Sequence, residues 1–229
     1  AARPTPDIAR SYVGPDSTGT ARGTAKAEDI FASAEGQTLM GGGGDDVFHV
    51  GSFSNVRIVV PESGITTVST WATRHTLADG VDNLVLQGNY AHDVRGNALA
   101  NTIVGSDGND VIDAGAGDDT IVAGSGANRL TGGAGHDLFV FRSGAARDNV
   151  ITDFRVGEDM IDLAPVVAAS GYAGVDALAD RVLRVEQVGA DAVISLDPDG
   201  TGAAPAHRLV TLKNVIASSL HDGHDFLWS

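Results

Sequence analysis

From Gly96 to Val140 the chain repeats itself every nine residues, as GNALANTIV, GSDGNDVID, AGAGDDTIV, AGSGANRLT and GGAGHDLFV. The eighth position is always large and apolar: Ile103, Ile112, Ile121, Leu130 and Phe139. The sixth holds Asn101, Asp110, Asp119, Asn128 and Asp137, and positions one, two and four are mostly glycine or alanine. A period of nine belongs neither to a single helix nor to an alternating strand. It belongs to a solenoid, in which each unit buries its apolar residue only against its neighbours.

Each position then has a task. Six polar, glycine-rich residues form a turn and three residues of the Thr-Ile-Val kind form a short strand. Two units complete a coil, so residues eighteen apart stack at the ~4.8 Å spacing of adjacent strands. The eighth residue points inward to make a thin core, and glycine lets turn carbonyls converge without a Cβ between them. Stacking at eighteen places Asp119 over Asp137 and Asp110 over Asn128. Stacked carboxylates repel one another unless a cation lies between them. A hard cation taking about six to eight oxygens at ~2.3–2.6 Å suits paired aspartates plus turn carbonyls, and calcium is the obvious choice.

The same register occurs earlier. Gly23–His49 reads GTAKAEDIF, ASAEGQTLM, GGGGDDVFH, with Ile30, Leu39 and Phe48 inward. Glu28 lies eighteen residues before Asp46, which predicts a weaker cation site between those turns. Over 50–77 the period breaks; Val56–Val60 and Thr67–Trp71 read as strands, in either an elongated coil or a small insertion. From Ala78 the spacing resumes, with Val85 and Val94 expected inward and Asn83 and His92 at the sixth position. Trp71 and Tyr90 are candidates for sugar stacking or for ordinary packing.

The units Gly132–Val140 and Gly41–His49 match G-G-x-G-x-D-x-U-x, U being large and apolar, at every specified position. In this they resemble the RTX (hemolysin-type) calcium-binding nonapeptide repeat, whose fold is a parallel β-roll or β-helix. The resemblance implies several calcium ions and an all-β fold, a parallel solenoid with a small β-rich C-terminal cap. It also implies ligands by position: carbonyls of the second and fourth residues and the sixth side chain of one turn, with carbonyls of the first and third and the sixth side chain of the turn eighteen residues on. The best site then uses Gly115, Gly117 and Asp119 with Gly132, Ala134 and Asp137. A second uses Ser106, Gly108 and Asp110 with Ala123, Ser125 and Asn128. A third pairs Asn97, Leu99 and Asn101 with Ala114, Ala116 and Asp119. The asparagines lower the ligand charge of the last two.

After Phe141 the repeat stops. Asp148–Leu163 resembles the segment that closes the roll in serralysin-type proteases and mannuronan epimerases; Asp148, Asp153 and Asp159 are either a terminal calcium site or surface acids. Val175–Leu183 has helical spacing with Asp176 as a possible N-cap, and Ala192–Leu196 and Leu209–Leu212 read as strands. Asp197–His207 begins like half a calcium loop but lacks the rest, which favours a plain turn. His221 and His224 belong to an acidic tail, and solvated histidines are the plainer reading. The ending resembles the C-terminal target region of type I secreted proteins. Residues 1–22 read as a linker or arm, 23–141 as the roll with its irregular part around 50–77, and 142–229 as the cap and secretion region.

Composition narrows the function. The net charge is −15 with 30 glycines, yet 42% of residues are hydrophobic and those in the repeat are periodic. The acids recur at one repeat position, as ligands do. No basic run offers itself to phosphates, so nucleic acid is excluded as a partner. No apolar run approaches membrane-spanning length, so no membrane insertion is expected. With no cysteine, disulfides and thiolate metal sites are unavailable. Neither an H-E-x-x-H nor a G-x-S-x-G motif is present, so no catalytic residue is assigned and the chain is read as non-enzymatic. The expectation is a secreted, extracellular calcium module attached to an N-terminal catalytic or adhesive domain and exported by a type I secretion apparatus. The alternative is a calcium-dependent carbohydrate-binding module that contacts polysaccharide.

Overall fold

The computed structural model describes residues 11–16, 19–53, 55–60, 63–142, 148–174, 176–197, 200 and 206–228. It is a parallel β-solenoid. One face is a ten-stranded sheet running from Ser11–Val13 to Phe226–Leu227, with every neighbouring pair parallel. The other face consists of a three-stranded sheet (Thr20–Arg22, Thr38–Met40, Arg57–Val59) followed by an eight-stranded one that begins at Arg74–Thr76. In the repeat the strands of the ten-stranded sheet are three-residue pieces in strict register, Thr102, Thr120 and Leu138 being successive partners, and those of the other sheet, Val111–Ala116 and Arg129–Ala134, run six residues. The middle residue of each three-residue piece faces in. Ile103, Ile121 and Phe139 in one sheet and Ile112 and Leu130 in the other are fully buried, as are Ile30, Leu39 and Phe48.

A core one side chain deep per coil is sensitive to each of its members. Phe139→Ala is expected to cost about 3–5 kcal/mol, to be read from the urea midpoint in saturating calcium.

The segment over 50–77 is continuous with the solenoid and not an insertion. Arg57–Val59 pairs with Thr38–Met40, Thr66–Thr70 joins the strand at Asp46–Gly51 to the one at Asn83–Leu86, and Arg74–Thr76 pairs with Asp93–Arg95. What varies is the length of the turns. Ile65 N–H bonds to Asp45, twenty residues back, and Thr66 N–H to Asp82, sixteen on. Such slips move the inward position by one. Leu84, not Val85, is the buried residue that stacks under Ile103, and the ladder position of that coil is Asp82, not Asn83. A one-residue shift exchanges the two faces of a strand. The expected arm also contributes to the stack where it is described: Ser11–Val13 pairs with Glu28–Phe31, and Thr20–Arg22 with Thr38–Met40.

Beyond Phe141 the stacking continues through Asn149–Ile151 and Met160–Asp162. Ending the stack is Phe226–Leu227, which covers Met160–Asp162 and brings Phe226 and Trp228 into the core. On the other face His207–Leu212 covers Asn149–Ile151, and the sheet finishes in an antiparallel meander with Asp191–Leu196 and Leu183–Val188. Where a helix is expected over Val175–Leu183, residues 177–181 form turns and Leu183 begins a strand, with Asp176 Oδ1 accepting from the Leu178 and Ala179 N–H groups; the short helix lies at Ala164–Ala169. Much of the Asp197–His207 loop, and Pro61 and Glu62 after the strand Arg57–Val59, lie outside the described residues. No helix among those described is long and apolar enough to cross a membrane.

Candidate metal centre

At the turn of each coil the residue two before the inward position reaches back and caps the preceding coil. Along one edge Asp46 Oδ1 accepts from Glu28 N–H (3.0 Å), Asp119 Oδ1 from Asn101 N–H (2.7 Å), Asp137 Oδ1 from Asp119 N–H (3.0 Å) and Asp159 Oδ1 from Asp137 N–H (3.1 Å). Along the other, Asp110 Oδ1 accepts from His92 N–H (2.9 Å), Asn128 Oδ1 from Asp110 N–H (2.8 Å) and Asn149 Oδ1 from Asn128 N–H (3.0 Å). These side chains are all but inaccessible. One oxygen of each of these seven groups is therefore a structural cap, satisfying a buried amide at a strand end.

The second oxygen distinguishes the turns. In most it is satisfied within its own turn, by the N–H four residues earlier. Ser106 donates N–H (2.8 Å) and Oγ–H (3.0 Å) to Asp110 Oδ2, and Asn97 N–H (3.0 Å) goes to the single side-chain oxygen of Asn101. Arg155 N–H (2.8 Å) goes to Asp159 Oδ2; Thr24 N–H (2.9 Å) goes to Glu28 Oε2 and the Thr24 hydroxyl bonds its other oxygen. Asp119 Oδ2 and Asp137 Oδ2 differ from these: both are buried and neither has a hydrogen-bond partner. A buried carboxylate oxygen with no donor costs about 1–3 kcal/mol or more. Here two of them occur in successive coils.

Both turns have glycine at their second position. Gly115 and Gly133 adopt φ +109° and +107°, open to glycine and strained for other residues, whereas Ser106, Asn97 and Thr24 occupy the equivalent place in turns that satisfy themselves. The turn is also too close-packed for side chains. A Cβ on Gly133 would lie 2.0 Å from Gly115 O, and one on Gly132 would lie 2.2 Å from Asp137 Oδ2. Gly117 N–H bonds to Ala134 O at 2.8 Å, tying the two turns together.

Electrostatics point the same way. The Asp119 carboxyl is raised to about 7, first by burial and then, against a partial lowering by the Asn101 N–H, by the charges of Asp137, Asp118 and Asp113. Asp137 is raised to about 6, first by burial and then, against the Asp119 N–H, by the charges of Asp159 and Asp153. Asp159 is shifted up as well, mainly by burial. Without a cation, the folded form holds protons that the unfolded chain releases near pH 4, so stability is lost as pH rises from about 4 to about 7. The metal-free protein is expected to melt at a lower temperature at pH 8 than at pH 5, and calcium to remove most of the difference. Thermal scans in chelator and in calcium check this.

A calcium ion fits this donor set. Among the described residues no three His, Cys, Asp or Glu side chains converge, so a cation here takes most of its oxygens from the main chain. Gly115, Gly117, Asp119, Gly132, Ala134 and Asp137, the set implied by the resemblance, lie in two adjacent turns paired at Gly115 with Gly133 and Ala116 with Ala134. The other predicted sets are also brought together, but they are closed by their own donors. Asn128 Nδ2 donates to Ala123 O (2.9 Å) and Ser125 O (3.0 Å), while Asp110 opposite is held by Ser106. This leaves Gly108, in tight contact with Tyr90 O, without an orphaned carboxylate beside it. In the third set Asn97 and Asn101 turn their amides onto the preceding coil, both donating to Val81 O. Ala114 O lies against Gly96. The His92 ring, equally buried, places Nδ1 and Nε2 against Ala72 O and Gln87 O.

Some members of the site are not apparent from the nonapeptide. Fifth-position side chains form an outer ladder, in which Asp45, Asn109 and Asp118 accept from Ile65, Ala127 and His136 N–H groups; the recurrence of Asp and Asn at that position was the available signal. The expected trio Asp148, Asp153 and Asp159 does not converge. Asp153 binds the N–H groups of Gly132 and Gly133, Asp159 those of Asp137 and Arg155, and Asp148 N–H bonds to Arg208 O. In the tail Asp225 is buried and accepts from Gly157 and His221 N–H groups, which makes it the last rung of the ladder.

A family model describes the same units. It is that of the RTX calcium-binding nonapeptide repeat (4 copies), and it matches residues 22–56, 95–130 and 113–145. The matched segments are RTX repeats. Such repeats bind calcium, several ions to a module. Two solved structures are similar to the chain. The AlgE6R2 subunit of the mannuronan C5-epimerase of Azotobacter vinelandii is 24% identical over 58% of this chain and 91% of that one, with a TM-score of 0.44. The AlgE6R3 subunit of the same enzyme is 24% identical over 62% and 81%, with a TM-score of 0.46. No curated protein matches the chain. In RTX terms, the orphaned oxygens fall in the two tandem units that have aspartate at position six and glycine at positions two and four.

Proposed function

We propose that this chain is the calcium-folded RTX module of a larger secreted protein, exported unfolded by a type I apparatus and stabilising the domain attached to it. The observation that carries this reading is the pair of buried, donor-less oxygens Asp119 Oδ2 and Asp137 Oδ2. Gly115, Gly117, Asp119, Gly132, Ala134 and Asp137 hold the ion; Glu28 with Asp46 and the asparagine-bearing sets are weaker. Bound calcium supplies the positive charge that the stacked carboxylates lack. In calcium-poor cytosol those carboxylates oppose folding and the chain stays threadable. Outside, calcium at about a hundred times its dissociation constant adds about 2.7 kcal/mol per site. Residues 142–229 close the stack and carry the export function. Refolding from urea tests the coupling: recovery of native fluorescence in calcium but not in chelator supports it, and equal recovery in both refutes it.

A second reading, carbohydrate binding, is favoured by the surface near the fourth and fifth coils. Trp71 and Tyr90 are exposed on successive coils and joined by Tyr90 Oη donating to Trp71 O at 2.6 Å. On the eight-stranded face nearby, Arg74, Arg95 and Arg129 point outward, two of them paired with Asp93 and Asp113. Stacking surfaces beside cations suit acidic sugars. Retardation in a polyuronate gel that Trp71→Ala with Tyr90→Ala abolishes would support it; unretarded migration of the parent chain in calcium would exclude it.

A further inference from the structure

The turn containing Asp137 differs from its neighbours in where one amide points. In five other turns the N–H four residues before the ladder side chain closes onto that side chain: Thr24 to Glu28, Asn97 to Asn101, Ser106 to Asp110, Arg155 to Asp159 and His221 to Asp225, at 2.7–3.0 Å. The equivalent donor for Asp137 is Gly133 N–H. It goes instead to Asp153 Oδ2, at 2.8 Å, and Gly132 N–H goes to Asp153 Oδ1, at 3.1 Å. Asp153 lies in the next coil, just after the strand Asn149–Ile151. Both of its oxygens accept amides of the preceding coil. Its effect is on Asp137, whose Oδ2 is left buried and without a donor.

We infer that Asp153 is a positioning residue for the cation site, holding the Gly132–Gly133 amides away from Asp137 so that its outer oxygen is kept for a divalent metal. The inference rests on the calcium reading above and adds a residue that the nonapeptide does not contain. It also gives the cap a part in metal binding: the last repeat becomes a site only when the coil after it is in place. Without Asp153 the Gly133 N–H is released to close onto Asp137, as in the five self-satisfied turns, and the rung holds itself shut without metal.

The test is calorimetric calcium titration of the full chain and of Asp119→Asn, Asp153→Ala, Asp153→Asn and Asn149→Ala. Asn149 is the matching control. It caps Asn128 on the opposite edge of the same coil, so its loss shows how far apparent affinity falls through stability alone. The step to follow is the one that Asp119→Asn abolishes. Asp153→Ala should weaken that step at least tenfold more than Asn149→Ala does. Asp153→Asn, which keeps one acceptor for the two amides, should fall between Asp153→Ala and the parent, and it decides the matter if the alanine variant does not fold. Equal weakening by the Asp153 and Asn149 variants would overturn the inference and leave the calcium reading intact. If the parent shows no step that Asp119→Asn removes, the calcium reading itself fails.

Discussion

Asp119→Asn should make the metal-free protein more stable at pH 8 and at the same time remove most of its response to calcium. Burial and the neighbouring carboxylates raise the Asp119 carboxyl to about 7. The unfolded chain ionises near pH 4, so above pH 7 the folded state bears the full cost of a buried charge. A shift of that size corresponds to a few kcal/mol as an order of magnitude. Asparagine has no charge to bury. Its Oδ1 can accept from Asn101 N–H as the aspartate does, and its Nδ2 can donate to turn carbonyls, as Asn128 Nδ2 does to Ala123 O and Ser125 O one unit later. The variant would thus copy a rung that the protein already builds. Thermal midpoints in chelator and in millimolar calcium should cross over between parent and variant: higher for the variant in chelator, higher for the parent in calcium. A variant less stable in both conditions would mean that Asp119 serves only as a cap.

Gly132→Ala should weaken calcium binding at least tenfold, about 1.4 kcal/mol, with a smaller effect on the metal-free fold. Gly132 does not have a left-handed φ, so a methyl group there adds no backbone strain. It adds bulk where the site has none to spare, 2.2 Å from Asp137 Oδ2 and 2.7 Å from its Cγ. The carboxylate must swing away, and the oxygen it moves is the donor-less one. Gly133→Ala is the harsher companion. Its methyl group would meet a main-chain oxygen, Gly115 O, at 2.0 Å with φ at +107°, and neither the oxygen nor the torsion yields cheaply. Calcium titration of Gly132→Ala beside a urea titration in chelator separates lost binding from lost folding. A variant that binds as tightly as the parent would place the ion elsewhere.

The solenoid, most of its inward residues and the stacking of Asp119 with Asp137 were legible because in those units one position has one task. Position eight of the tandem repeat is buried without exception from Ile103 to Phe139, and Asp119 over Asp137 follows from the eighteen-residue step. Legibility ended where the step changes. Turns of sixteen and twenty residues around Thr66 shifted the inward residue to Leu84 and the ladder residue to Asp82, which a fixed period of nine cannot reveal. The contribution of Asp153 was hidden for a related reason: it acts across a twenty-residue step, from sequence outside the repeat. Loss of ligand charge was the expected weakness of the asparagine rungs. Their geometry adds another, for an amide also brings donors that occupy the carbonyls a cation would use. The side chain at position two carries that information in sequence, being glycine beside Asp119 and Asp137 and serine, asparagine or threonine beside Asp110, Asn101 and Glu28. The tail Phe226–Trp228 had no repeat to announce it, although its acid, Asp225, is a rung.

The most direct test of calcium-coupled folding is far-ultraviolet circular dichroism of the chain at pH 7.5, first in chelator and then over a rising calcium concentration. The account predicts a saturable gain of β-structure and a higher thermal midpoint, both lost on returning to chelator and both blunted in Asp119→Asn. An identical spectrum and an identical midpoint with and without calcium would contradict it.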